Sequence, residues 1–230
     1  LQSFSIDKDL ILKILNQAKP LGHHTDKSNL NLGFGFLYYG LVRSLRPKHV
    51  VIIGSGYGFS VVCMAIAMID NAVGKMSFID PSYNLLKDGP IKTMGGRGNW
   101  NNPEDVNALL NQFDIAHIVN HYKMTSEHFF NHYENYNLPS INLAFIDGNH
   151  SFENVRFDFI NVLKRSKKNS YILLHDTNIY MREAIRNTGV KRWLKYVKAN
   201  KYIEVVDFPY SSGVAITRVL KVEAWKYLPE

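Results

Sequence analysis

Two stretches of this chain hold side chains whose types and spacing can do chemistry. The first is Gly54-Ser55-Gly56-Tyr57-Gly58-Phe59-Ser60, where three alternate glycines let the backbone bend sharply and bring its N–H groups close to a ligand. A dinucleotide fingerprint needs G-x-G-x-x-G, and Phe59 stands where its third glycine would be. The G-x-G-x-G spacing suits instead a ligand without a pyrophosphate, one whose amino-acid moiety and ribose the backbone must approach. The competing reading is a tight turn with no ligand. The second stretch is Phe145-Ile146-Asp147-Gly148-Asn149-His150-Ser151-Phe152, together with His175-Asp176-Thr177-Asn178. If Asp147 and Asp176 converge, each raises the other's pKa unless a proton or cation lies between them. A divalent ion is a reasonable occupant, and oxygen donors suit Mg²⁺, which keeps several waters and takes one or two carboxylates. The alternative is a pair of strand-end acids capping the helices that follow, since Asp before Gly and a helix is also an ordinary N-cap pattern.

These residues meet only if the surrounding elements deliver them to one edge. Residues 6–18 and 34–45 carry apolar side chains at helical spacing, and Arg46-Pro47 stops the second run. Short apolar, β-branched runs follow at His49–Ile53, Met76–Asp80, Ala116–Val119, Ile141–Ile146 and Tyr171–Leu174. Helical patterns over 60–69, 104–113, 125–135 and 152–165 separate them. Five βα units in succession predict a parallel sheet, and strands this apolar at consecutive positions are covered by helices on both faces, the doubly wound α/β arrangement. After a helical 180–198, the strands Ile203–Phe208 and Gly213–Val219 are joined by a link short enough for an antiparallel pair. The glycine turn, Asp147 and Asp176 then all sit at the same edge.

Over nearly its whole length the chain resembles the class I S-adenosylmethionine-dependent methyltransferases. The resemblance rests on Val50-Val51-Ile52-Ile53-Gly54-Ser55-Gly56-Tyr57-Gly58 and on Asp80, which ends the second strand 22 residues after Gly58. A carboxylate there can accept hydrogen bonds from both ribose hydroxyls. The resemblance implies a mostly parallel seven-stranded sheet with an antiparallel last strand. It also implies a cofactor site of Gly54, Ser55, Gly56, Tyr57, Gly58, Ser60 and Asp80, with Thr125 of Met124-Thr125-Ser126 near the adenine. Ile52 stands where the family often has Glu or Asp. Asp147-Gly148-Asn149-His150 and His175-Asp176 are similar to the D-G-x-H and H/E-D patterns of the subgroup containing macrolide-sugar O-methyltransferases and cephalosporin-hydroxylase-like proteins. That likeness implies Asp147, His175 and Asp176 as metal ligands and His150 as general base beside Asp147. His175 replaces an acid of the sugar enzymes, so it points away, or the site admits Mn²⁺ or another softer ion, or no metal binds.

The expected activity is methyl transfer from S-adenosylmethionine to a hydroxyl of a small-molecule acceptor, a sugar or glycosylated metabolite first, with Mg²⁺ or Mn²⁺ assisting. Three alternatives are an inactive binding module that keeps the fold, a nicotinamide oxidoreductase, against which Phe59 counts, and an RNA methyltransferase, which the charge would suit but for which no aromatic–basic interleaving is present. The 230 residues are 46% hydrophobic, enough for one sizeable core, and no repeat or Pro/Ser-rich linker divides them. We therefore expect a single domain over 1–230, with 1–46 as an N-terminal helical segment. The net charge of +7 is spread along the chain, which suits solubility and anionic ligands better than a nucleic-acid arm. The single cysteine, Cys63, forms no internal disulfide and fits a reducing cytoplasm, and no apolar run approaches the roughly 20 residues of a membrane span. A homo-oligomer is compatible with all of this. Opening at Leu1, without an initiator Met or a signal pattern, the chain reads as a domain trimmed or cut from something longer.

Residues 83–103 read as a loop, either a surface excursion or a lid over the acceptor, with Trp100 as a stacking surface and Arg97 meeting an anion. His23-His24 are expected in a solvated loop, the alternative being that in this fold the N-terminal segment lies over the active site. His128 and His132 are expected on a helix surface, Cys63 inside an apolar helix, and Lys164–Lys168 at a solvated helix end.

Overall fold

The computed structural model describes residues 6–82, 100–178 and 189–229. Its strands are β1 His49–Ile53, β2 Lys75–Ile79, β3 Val119–Tyr122, β4 Ile141–Ile146, β5 Ser166–His175, β6 Ile203–Phe208 and β7 Val214–Val219. They form one seven-stranded sheet in the order β3-β2-β1-β4-β5-β7-β6, with β1 to β5 parallel and β7 antiparallel to both of its neighbours. The helices are α1 Lys8–Gln17, α2 Phe34–Leu45, α3 Phe59–Asn71, α4 Pro103–Gln112, α5 Ser126–Asn131, α6 Phe152–Lys164 and α7 Val190–Ala199. This is the doubly wound sheet with an antiparallel last strand that the sequence predicts. No helix among the described residues is long and apolar enough to cross a membrane.

Strand side chains alternate between faces, and β1 shows the result. Val50 and Ile52 pack into a core built with α1 to α4, while Val51 and Ile53 pack into a second core built with α5 to α7. All five β1 residues are buried, as a strand covered on both faces requires. The chain winds outward from β1 to β2 and β3 on one side, and from β4 to β5 on the other. The order reverses between β1 and β4, and such a switch point leaves a crevice outside the carboxyl ends of the two strands. Backbone bonds hold the crevice walls in register: Asp147 N–H donates to Ile53 O at 2.8 Å and Gly54 N–H to Ile79 O at 2.9 Å.

Several boundaries differ from expectation. The strand expected at Ala116–Val119 begins at Val119, because the preceding residues bond back onto α4: Asp114 N–H to Asn111 O and Ile115 N–H to Leu110 O. β5 extends well beyond Tyr171–Leu174, starting at Ser166 with a register irregularity opposite Ile141 and Leu143. Its polar Lys167-Lys168-Asn169 concealed it. Arg165 is not part of a solvated helix end; its guanidinium donates to Phe130 O at 2.8 Å and to Asn161 Oδ1 at 3.1 Å, tying α6 to α5. The helix expected over 180–198 is described only as α7, since 179–188 lie outside the described residues. Most of the expected lid, including Arg97, likewise lies outside them.

Candidate active site

The glycine turn joins β1 to α3 with positive φ at Gly54, Gly56 and Gly58. At Gly54 (φ 69°) a Cβ would lie 2.5 Å from Asp147 O, so only glycine lets the β4 end pass this close. At Gly56 (φ 48°) a Cβ would meet nothing within 4 Å among the described residues, so the bend leaves room there for a ligand. The N-cap of α3 is Gly58, with no side-chain cap among the described residues, so the first-turn N–H groups suit another acceptor. Ser60 is buried and its hydroxyl lies 2.6 Å from that of Ser55, bracing the turn against the helix. Tyr57 stays partly exposed, with Lys19 Nζ over its ring at 5.4 Å.

Asp80 follows β2, one strand over. Its Oδ1 accepts from Ser82 N–H at 2.7 Å, and the carboxylate also accepts from Ser55 N–H, linking it to the glycine turn. Burial pushes Asp80 up to about 6, against those hydrogen bonds and with some help from Asp147. An acid held there gains from polar donors that stabilise its charge. Thr125 follows β3 and caps α5, its Oγ1 accepting from His128 N–H at 3.1 Å.

Beyond the turn, β4 and β5 deliver Asp147, His150, His175 and Asp176 to one point. Consecutive strand residues would face apart, but Asp176 adopts the left-handed conformation (φ 61°), which Asp tolerates better than most residues. Its carboxylate thereby comes back beside His175. His175 Nδ1 lies 3.0 Å from Asp147 Oδ1 and 3.3 Å from Asp176 Oδ1. His150 lies between the same acids, with Nε2 3.3 Å from Asp147 Oδ1 and Nδ1 3.2 Å from Asp176 Oδ2. Burial opposes charge on both rings, yet the two carboxylates outweigh it. They raise His150 above its ordinary value and take His175 up to about 9. Burial likewise disfavours charge on Asp147, but the His175 and His150 imidazoles hold it far below the usual carboxylate range. The side chains of Asp147 and His150 keep 14% and 21% of their surface exposed, so the cluster is accessible from their side.

Donor atoms of Asp147, His175 and Asp176 lie within 4.8 Å of one another. Adjacent ligands of an octahedral ion with arms of about 2.1 Å stand about 3.0 Å apart, which is the scale of the Nδ1–carboxylate separations here. Two hard oxygens and one imidazole therefore fit a divalent ion, softer than Mg²⁺ alone would demand. The exposed His128 and His132 rings lie 4.3 Å apart at a 32° tilt on α5 and its C-cap, away from the strand ends that carry this cluster.

Two aromatic residues are placed otherwise than expected. His23 is not in a solvated loop. It is buried, stacked on His175 at 4.3 Å, and 3.0 Å from the Tyr38 hydroxyl through Nδ1. Burial, then repulsion from His175, pushes its pKa well down, so its ring is neutral. Trp100 is no exposed stacking surface. It is 1% exposed against Phe78, its indole N–H donates to Gly56 O at 3.0 Å and its backbone N–H to Ser82 Oγ at 2.9 Å. It joins the glycine turn to the Asp80 turn. Sequence spacing holds no signal for either contact; a histidine in an irregular segment and a tryptophan in a polar one are both compatible with solvent.

A methyltransferase-domain family matches residues 51–177, which contain the glycine turn, Asp80 and the whole acid–histidine cluster. The chain is 23% identical over 213 residues to the uncharacterized protein y4gI of Sinorhizobium fredii, matching 89% of this chain and 21% of that protein. It thus spans about a fifth of that curated relative. Its fold is similar to the O-methyltransferase TomG of Streptomyces achromogenes, solved in complex with S-adenosylmethionine (TM-score 0.67, 13% identity, 95% of this chain and 92% of that one). It is also similar to the O-methyltransferase of Bacillus cereus, solved with S-adenosylhomocysteine (TM-score 0.64, 14% identity, 92% and 90%). At such identities the likeness is one of fold.

Proposed function

The chain belongs to the methyltransferase-domain family, and from that premise we propose that it moves the sulfonium methyl of S-adenosylmethionine onto a hydroxyl of a small molecule. One observation supports the reading: the glycine turn with Asp80 and the acid–histidine cluster lie side by side at the carboxyl edge of the sheet, joined where Asp147 N–H meets Ile53 O. The first-turn N–H groups of α3 and the bend at Gly56 receive the amino-acid end, Asp80 accepts the ribose hydroxyls, and Thr125 stands toward the adenine. The two similar folds named above were solved with S-adenosylmethionine or its demethylated product, which agrees with this placement.

A divalent ion held by Asp147, His175 and Asp176 would supply positive charge that lowers the pKa of an acceptor hydroxyl. The chain's own residues do the rest. Asp147 and His150, the part-exposed members, orient the acceptor oxygen in line with the S–CH₃ bond. With Nδ1–H donated to Asp176 Oδ2, His150 Nε2 takes the acceptor's proton as the C–O bond forms, the C–S bond breaks and S-adenosylhomocysteine leaves. Alignment of two bound reactants contributes several kcal/mol, and the base typically about 10²–10⁴-fold in rate. The acceptor class we favour is a hydroxylated metabolite, sugars included; TomG is described as acting in tomaymycin synthesis, also a small-molecule setting.

The test is transfer of a labelled methyl group from S-adenosylmethionine across a panel of hydroxylated metabolites, with and without chelator. Labelled product that disappears on chelation and in His150→Ala supports the reading. Tight binding of S-adenosylmethionine with no transfer to any acceptor would favour a binding module that keeps the fold.

A further inference from the structure

The orientation of His175 is set from outside the cluster it serves. Its Nε2 lies 3.3 Å from the carbonyl oxygen of Gly22, and a carbonyl only accepts, so Nε2 carries a proton. In the neutral ring the lone pair is then on Nδ1, the atom 3.0 Å from Asp147 Oδ1 and 3.3 Å from Asp176 Oδ1. A lone pair facing two carboxylate oxygens is stable only with a proton or a cation among them, and a bound divalent ion takes the proton's place. Metal-ligating histidines are commonly fixed in this way, by a carbonyl taking the proton of the far nitrogen. The ring plane is fixed as well, by the His23 imidazole stacked on it at 30°, itself held at Nδ1 by the Tyr38 hydroxyl.

Gly22 is suited to this approach by its backbone. With φ at 78°, a Cβ on it would lie 2.2 Å from Ser212 Oγ and 3.3 Å from His175 Cε1. Any side chain there would push the segment off the β6–β7 turn and take the carbonyl away from His175. We propose that Gly22 and His23 are positioning residues of the metal site, turning His175 Nδ1 onto a divalent cation shared with Asp147 and Asp176. This rests on the reading of that cluster as a metal centre. The residues between α1 and α2 are then part of the catalytic apparatus, although they lie more than 120 residues from Asp147 in sequence.

The experiment measures Mn²⁺ affinity of the full chain by electron paramagnetic resonance of the free ion, in wild type, Gly22→Ala, His23→Ala, His23→Phe and Asp176→Asn. Gly22→Ala and His23→Ala are expected to weaken Mn²⁺ binding roughly 10–100-fold, the usual effect of losing a partner of a metal ligand. His23→Phe keeps the stacking face and should retain most of the affinity. S-adenosylhomocysteine binding, a readout of the intact fold, should be unchanged throughout. Long-range ¹H–¹⁵N NMR of the Mg²⁺-loaded wild type needs no variant and should show His175 protonated at Nε2 and bare at Nδ1. A proton on Nδ1 with Mg²⁺ bound, or wild-type Mn²⁺ affinity in Gly22→Ala, overturns the proposal. If Asp176→Asn loses Mn²⁺ while Gly22→Ala does not, only the positioning role fails. If wild type and Asp176→Asn bind Mn²⁺ equally weakly, the metal reading fails and the proposal falls with it.

Discussion

Replacing Asp80 with Asn isolates the carboxylate assigned to the ribose. In the wild type this buried acid titrates at about 6, and only its ionised form accepts two strong hydrogen bonds. If S-adenosylhomocysteine binds that form alone, linkage makes the apparent Kd about tenfold weaker at pH 5 than at pH 7, with little change above pH 7. Hydrogen bonds to a charged group are worth about 1.5–3 kcal/mol, so Asp80→Asn should weaken binding at pH 7 roughly 10–100-fold and flatten the profile between pH 5 and 7. Unfolding does not account for such a loss. A carboxyl whose pKa is raised on folding favours the folded state most at low pH, and its contribution falls as pH climbs from its unfolded value toward 6. Removing that charge therefore does not destabilise the protein at neutral pH through this group, while the amide oxygen can still accept from Ser82 N–H. Isothermal titration with S-adenosylhomocysteine at pH 5, 6, 7 and 8 reads both effects. Wild-type affinity of Asp80→Asn at pH 7 would refute the ribose assignment.

Other expectations follow from individual contacts. Asp158 on α6 is buried with Oδ1 unpartnered among the described residues, and burial pushes it up to about 7. Its folded pKa exceeds the unfolded one, so it should cost the wild type about 2–3 kcal/mol of stability between pH 5 and pH 8, and urea denaturation of Asp158→Asn should lack that decline. Trp100→Phe removes the indole bond to Gly56 O, worth about 1 kcal/mol; S-adenosylhomocysteine affinity should fall severalfold in a titration. His150→Ala should lower methyl transfer by about 10²–10⁴-fold while leaving calorimetric cofactor affinity intact. Thr125→Ala removes the α5 cap and should cost about 1 kcal/mol in denaturant; a parallel loss of cofactor affinity would add an adenine contact to that structural role.

What could be read beforehand was local or set by strand direction. Three glycines after a β-branched run mark the β1–α3 turn in any context, and parallel strands put residues 54, 80, 147 and 176 on one edge whatever the packing details. Three kinds of feature escaped. The start of β3 depended on how α4 unwinds, and β5 began in a polar stretch whose ladder partner lies far away in sequence. His23 reaches His175 across the chain, a contact no spacing encodes. Trp100 was the clearest misreading. Its neighbourhood in sequence is polar, and its burial follows from Phe78 and from the gap a glycine leaves at position 58, where a Cβ would sit 2.9 Å from the indole.

The most direct measurement is a crystal structure of the protein grown with S-adenosylhomocysteine and Mn²⁺, with anomalous data collected near the manganese edge. The nucleoside should lie across Gly54–Gly58 with its ribose hydroxyls on Asp80, its sulfur directed toward His150, and one anomalous peak among Asp147, His175 and Asp176. Nucleoside density away from that turn, or an acid–histidine cluster facing a different cavity from the sulfur, would contradict the assignment of both halves to one reaction.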